Sequence, residues 1–197
     1  MRYFFDTEFI EDGKTIELVS IGIVAADGRE FYRQIVGVDY SRADEWFHRN
    51  VLPELTHYSI KERSRSCNTS YNSELSLSSA QFESRCAEYT ACPWTNTARL
   101  CNDIINFVSP IIHGHSTNPP EFWAYYADYD WVALRQLYGR MRNLPKGWPM
   151  YCRDLRQLLD EHGLDVSKAV PQTDEHNALA DAKWVWTAYE YAMHQIQ

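Results

Sequence analysis

Asp6 and Glu8 stand two residues apart in an otherwise aromatic segment, Tyr3-Phe4-Phe5-Asp6-Thr7-Glu8-Phe9. On a strand both carboxylates leave the same face, beside Phe4. A lone Asp-x-Glu is ordinarily a solvated strand end, but acids within an apolar strand are costly unless paired or bound to a cation. Asp128 and Asp130 follow a second aromatic run, Phe122-Trp123-Ala124-Tyr125-Tyr126, at the mouth of an expected helix. There either acid would also serve as a cap or complement the helix dipole. A third group, Asp174-Glu175-His176-Asn177-Ala178-Leu179-Ala180-Asp181, opens the last expected helix. Residues five apart lie about 140° from each other on an ideal helix. His176 and Asp181 therefore meet at one site only if His176 lies in the lead-in loop. Carboxylates are hard oxygen ligands that suit Mg²⁺ or Mn²⁺ better than Zn²⁺, and a neutral imidazole can accept a proton.

Residues 2–7 and 16–25 are apolar runs, the second apolar on both alternating faces apart from Glu17, as in a strand buried on both sides. Asp27-Gly28 is a hairpin signal in which both central positions would take positive φ, and 29–36 alternates like a third strand. The opening is expected to be a three-stranded antiparallel meander. Helices are expected over 41–55, 97–109, after Asp130, over 153–162 and over 176–194. Strands are expected over 121–126 and Met150–Cys152. In the last helix Leu179, Ala182, Trp186, Tyr189 and Met193 recur at three- and four-residue steps, an amphipathic pattern. Ala178, Ala180 and Ala182 would let its first turns approach another backbone closely. The fold class is α/β: a mixed sheet with an antiparallel opening meander, flanked by helices.

Residues 57–97 change character. Seven serines fall between Ser64 and Ser79, preceded by Lys61, Arg63 and Arg65. This stretch is expected to be an insertion, largely loop with a helix near 79–89, within a single domain spanning 1–197.

At 197 residues, 45% hydrophobic and 23% charged, the chain is neither disordered nor collagenous. Its net charge of −8 argues against a general nucleic-acid coat protein, though not against an enzyme that grips a few phosphates through bound metal. No apolar run is long enough to span a membrane, and acids stand where a secretory signal needs its apolar core. A soluble, cytoplasmic protein is expected. The five cysteines form no CxxC pair and are expected to be reduced thiols. His113-Gly114-His115 lacks partners at metal-site spacing and reads as a turn. Arg135, Arg140, Arg142 and Lys146 would line a phosphate track or, more ordinarily, a solvated helix face.

Jointly, Asp6 and Glu8, then Tyr129-Asp130, then His176, Ala178 and Asp181 resemble the three motifs of the DEDDh group of 3′→5′ exonucleases, which have an RNase H-like fold. A closer resemblance is to RNase T-like exoribonucleases of the RNase AS type. It is carried by residues 3–18, Tyr129-Asp130-Trp131-Val132-Ala133-Leu134 and Arg153-Asp154-Leu155-Arg156-Gln157-Leu158. It covers roughly 1–36, 121–160 and 175–190. The sequence departs from many DEDDh enzymes at Ala127, where the group often has Asn. The resemblance implies a 3′→5′ exonuclease acting on single-stranded 3′ ends, with RNA favoured over DNA, and a homodimer. It implies two Mg²⁺ or Mn²⁺ ions on Asp6, Glu8, Asp130 and Asp181, with His176 as general base. Thr7, Phe9 and Tyr126 are the candidate substrate contacts, Phe9 and Tyr126 because base–aromatic stacking tolerates any sequence.

Overall fold

The computed structural model describes residues 1–55, 93–108, 119–167, 169–173 and 175–196. In it β1 (Arg2–Glu11), β2 (Ile16–Ala25) and β3 (Glu30–Ile35) form the expected antiparallel meander. The β2–β3 turn differs from the expected form. Positive φ occurs at Gly28 and not at Asp27. The N–H of Ala25 donates to the carbonyl of Arg29 at 2.9 Å, and that of Gly28 to Ala25 at 2.8 Å. This is a three-residue loop whose single left-handed position falls on glycine, which has no Cβ to clash there.

β5 (Glu121–Ala124) and β6 (Arg153–Asp154) extend the sheet in parallel from β1, and β4 (Trp94–Thr95) lies parallel to β3, giving the order β4-β3-β2-β1-β5-β6. β4 falls inside the stretch expected to be an insertion. Trp94 is buried and the N–H of Gln34 donates to Pro93 at 2.8 Å, so the chain has rejoined the sheet by residue 93. The rest of that stretch, with its basic and serine-rich parts, the helix near 79–89, Cys67, Cys86 and Cys92, lies outside the described residues. His113-Gly114-His115 does too. β6 begins later than the expected Met150–Cys152 strand, because the pairing with β5 starts only at Trp123 with Arg153.

The helices are α1 (Glu45–Asn50), α2 (Thr97–Val108), α3 (Asp128–Gln136), α4 (Leu155–Glu161) and α5 (Ala178–Ile196). The helix expected over 41–55 is broken into α1 and two flanking 3₁₀ turns, Tyr40–Arg42 and Leu52–Glu54. Asp44 causes the first break: its carboxylate accepts the N–H of Phe47 at 2.8 Å and caps α1. No helix among the described residues is long and apolar enough to cross a membrane.

Both faces of the sheet are covered, as the two-sided apolar pattern of β2 requires. Tyr3 and Phe5 of β1 pack with Leu100 and Ile104 of α2 and Ala133 and Leu134 of α3. Phe4 points the other way, into Leu155 and Leu159 of α4 and Val185, Ala188 and Tyr189 of α5. The ring of Phe4 lies 5.1 Å from that of Tyr189 and 6.4 Å from that of Trp186. Burying such side chains stabilises by about 1.5–3 kcal/mol each, which anchors the middle of α5 over β1. By strand alternation Asp6 and Glu8 lie on that same face, one and two pleats beyond Phe4.

Candidate active site

Two features bring the start of α5 down onto the acids of β1. The first is Gly22, the β2 residue directly opposite Asp6. A Cβ there would come closer than 3.0 Å to backbone atoms of Ala178 and Leu179, so only glycine leaves room for the helix end. The second is the lead-in loop. Among the described residues His176 is one of two non-glycine positions with positive φ, at 71°, and its N–H donates to Asp181 Oδ2 at 2.9 Å. The side-chain amide of Gln172 donates to Asp181 Oδ1. Asp181 is thus held at both oxygens and buried, not an exposed first-turn acid.

The result is that carboxylate oxygens of Asp6, Glu8 and Asp181 all lie within 4.8 Å of one another. Glu8 and Asp181 are buried and Asp6 is half-buried. Asp130 is also buried, and it is the second-motif acid that faces β1, while Asp128 is exposed. β1 continues beyond its pairing with β5, which ends at Phe4. The free edge lets Thr7 donate its N–H at 2.9 Å and its hydroxyl at 2.5 Å to Asp130 Oδ1. Thr7, expected as a substrate contact, therefore spends both donors on Asp130. Among the described residues Asp130 is not part of the three-acid cluster, although its charge is felt by Asp6 and Glu8.

The electrostatics are those of acids crowded away from water. Burial first, then the charges of Asp130, Glu8 and Asp181, push Asp6 well above the ordinary carboxylate range. Burial and the charges of Asp181 and Asp130 push Glu8 up to about 8. Burial raises Asp130 to about 6 against the opposing hydrogen bonds from Thr7, and raises Asp181 against those from Gln172 and His176. No lysine or arginine among the described residues forms an ion pair with any of the four. Ser20, opposite Glu8 in register, is fully buried and its hydroxyl has no partner among the described residues. Hard oxygen donors, uncompensated charge and an unused buried hydroxyl together fit a divalent cation.

A cavity of about 300 Å³ is lined by Phe9, Ile10, Glu11, Ala43, Asp44, Trp46, Phe47 and Tyr129, which include the chain neighbours of Glu8 and Asp130 but none of the four acids; it is within the size range of small-ligand pockets. The β1–β2 register shifts between Glu8 and Phe9, a bulge of the kind that re-aims side chains. The Phe9 ring stacks on Tyr129 at 5.9 Å with planes 9° apart. Trp46 is half exposed, and its ring meets the His176 imidazole edge-on at 4.9 Å. Tyr126 does not line this cavity. It is 62% exposed, packs on Tyr125 at 4.6 Å and holds φ at 55° in the turn before α3. That turn is tied by Asp154, which accepts the N–H of Ala127 at 3.0 Å.

Trp46, Tyr129, Gln172, Gly22 and Asp154 were not identified from sequence as site residues. Trp46 carried a usable signal, a large aromatic beside the core residue Phe47 in a short helix whose other residues are polar. Gln172 and Asp154 carried none, since their roles depend on partners distant in the fold.

Buried carboxylates crowded together without a compensating cation are the layout of an enzyme site, not of a structural core. Residues 1–193 match the Rv2179c-like family, described as the 3′-5′ exoribonuclease Rv2179c-like domain, and the chain belongs to that family. Two relatives from Mycobacterium tuberculosis are 3′-5′ exoribonuclease MT2234.1 of strain CDC 1551 / Oshkosh and 3′-5′ exoribonuclease Rv2179c of strain ATCC 25618 / H37Rv. Each is 38% identical over 183 residues, covering 93% of this chain and 88% of the relative. The protein is an enzyme with 3′–5′ exonuclease activity.

Proposed function

We propose that the protein is a divalent-metal-dependent DEDDh exoribonuclease that removes nucleotides from single-stranded RNA 3′ ends and releases nucleoside 5′-monophosphates. The observation that carries this reading is the convergence of carboxylate oxygens of Asp6, Glu8 and Asp181 within 4.8 Å of one another. The mixed sheet with its antiparallel meander supports an RNase H-like fold. Asp6, Glu8 and Asp181 would hold the cation directly, with Asp130, oriented by Thr7, completing the acidic wall. When bound, one or two such ions would supply charge neutralisation and Lewis acidity at the scissile phosphate.

The chain's own residues account for the remaining steps. Phe9, Tyr129 and Trp46 offer faces for the terminal base, and base–aromatic stacking is worth about 1–3 kcal/mol per base without sequence preference. His176 is on a loop held by the bond to Asp181, and its ring is in edge contact with Trp46, a residue of the cavity lining. It accepts the proton of the attacking water as that water forms its bond to phosphorus. The bond from phosphorus to the 3′ oxygen of the preceding nucleotide breaks, and solvent protonates that oxygen. The products are a 5′-monophosphate and an RNA one nucleotide shorter with a free 3′ hydroxyl.

Single-stranded RNA and DNA of matched sequence, labelled at the 5′ end, test this directly. RNA should shorten stepwise with Mg²⁺ or Mn²⁺, release 5′-monophosphates, and stay intact in chelator. Uncut RNA in both metals, shortening unaffected by chelator, or preferential loss of DNA would overturn the proposal. His176 has its own test. Asn tolerates left-handed backbone but its amide is no proton acceptor, so His176→Asn should keep the loop while removing the base. We expect kcat to fall by at least about 10²-fold, with metal affinity unchanged by titration calorimetry. A variant turning over near the native rate would remove His176 from the mechanism.

A further inference from the structure

We propose that the loop bearing Arg140, Arg142 and Lys146, together with Arg135 at the end of α3, is a phosphate-binding exosite. It would hold the backbone of the substrate RNA upstream of the nucleotide being removed. The inference rests on the RNA reading above and extends it to a surface away from the acids.

The sequence from Trp131 to Arg153 contains Arg135, Arg140, Arg142, Lys146 and Arg153 and not one Asp or Glu, in a chain of net charge −8. A solvated face that served only solubility would mix the two signs. The structure sharpens the contrast. Arg153 is tied to Glu121 at 3.6 Å. Apart from Lys14 and Arg49, the cations outside this segment are likewise ion-paired among the described residues. Arg135, Arg140, Arg142 and Lys146 form no ion pair among those residues, and the last three are exposed. Cations gathered without counter-ions repel one another, which is tolerable in water and favourable only when an anion arrives.

These side chains stand on a fixed platform. The N–H of Asn143 donates to Arg140 at 2.8 Å and that of Trp148 to Pro145 at 3.0 Å. Trp148 is buried against Phe122 at 4.8 Å and Tyr138 at 5.6 Å. Exposed Met141, Met150 and Tyr151 fall between the cations along the chain, and Arg135 Nη1 reaches Met150 Sδ at 4.0 Å. Interleaved cations and exposed aromatic or soft apolar side chains suit a single strand, whose phosphates and bases alternate.

The position agrees. Asp130 lies in the first turn of α3, and Arg140 follows the other end of a helix about 13 Å long at 1.5 Å per residue. The loop is thus too far along to touch the scissile phosphate. The acidic site repels any polyanion, so a separate positive surface is what would draw RNA in. A two-fold dimer built on this patch would set it against itself, cation facing cation.

The test compares the native chain with the triple variant Arg140→Gln/Arg142→Gln/Lys146→Gln, whose side chains are exposed and should leave the melting temperature unchanged. In chelator, affinity for a long mixed-sequence single-stranded RNA should fall about tenfold. The slope of log affinity against log salt should drop in magnitude by about 2, from roughly 0.7 for each of three lost phosphate contacts. With metal, hydrolysis of a dinucleotide should keep its kcat/KM. Unchanged affinity and slope would overturn the exosite, as would an equal loss on dinucleotide and long RNA. A shift in oligomeric state without a change in salt slope would make the patch a subunit contact and overturn it too. A native chain that leaves RNA uncut refutes the catalytic reading but not this one, which binding in chelator decides by itself.

Discussion

Asp6→Asn is expected to melt at a higher temperature than the native protein in chelator, and to hydrolyse nothing when metal is restored. Asp6 is pushed well above the ordinary carboxylate range by burial and by three neighbouring acids, so its charge is a cost to the folded state without a cation. The amide keeps the shape and removes the charge. Relieving such a functional burden is typically worth about 1–2 kcal/mol, or roughly 2–8 °C for a chain of this length. Activity should vanish because one of three converging ligands is lost. The same logic sets the sign of the pH dependence. Glu8 titrates near 8 when folded against 4.5 as its ordinary value, and Asp130 near 6 against 3.8. Between each pair of values the folded state holds more protons than the unfolded one, so stability falls as pH rises. In chelator the native protein should therefore lose stability from about pH 3.8 up to about pH 8, and Glu8→Gln should flatten that decline above about pH 4.5. Saturating Mg²⁺ or Mn²⁺ should reverse it, since the cation binds the deprotonated acids. Melting curves across this range, with and without metal, read both effects. An Asp6→Asn variant less stable than native in chelator would mean that the carboxylate is engaged in a structural interaction and not held in reserve for a cation.

Gly22→Ala is expected to cost about 10²-fold in turnover while leaving a folded protein. The added carbon would overlap the backbone of Ala178 and Leu179, and no rotamer change relieves a clash between backbone and Cβ. The start of α5 must move away from β2 by about 1 Å, a misplacement that can cost 10²-fold at a reacting centre. Asp181 and the His176 loop move with it. The middle of α5 stays anchored by Phe4, Tyr189 and Ala192, so overpacking should cost stability only about 1–3 kcal/mol. Ile104→Val in the opposite layer serves as the control, since it destabilises by about 0.5–1.5 kcal/mol without touching the site. Metal titration should show weakened binding in Gly22→Ala and none in the control. Native turnover and metal affinity in Gly22→Ala would show that the helix end does not need this close approach.

The features legible in the residues alone were local or periodic. Alternation placed Asp6 and Glu8 on one face beside Phe4, the two-sided apolar run made β2 a covered central strand, and three- and four-residue steps located α5. Other features depended on partners far along the chain. β4 is two residues at the end of a serine-rich stretch, too short for any period, and exists because β3 has a free edge. Asp130 and Asp128 are equivalent as helix-start acids. The choice between them falls to the unpaired N–H and hydroxyl of Thr7, 123 residues away, which exist because β5 stops where β1 continues. The helix expected from 176 begins at Ala178, and His176 sits before it in left-handed backbone, the arrangement its five-residue spacing from Asp181 required. Gln172 on Asp181 leaves no trace in spacing or composition, and although Trp46 stands out in its helix, its partner His176 does not follow from that. Periodicity records which face of an element is buried, whereas the energy of a buried polar group depends on which partner arrives there, and only the packed tertiary structure brings that partner.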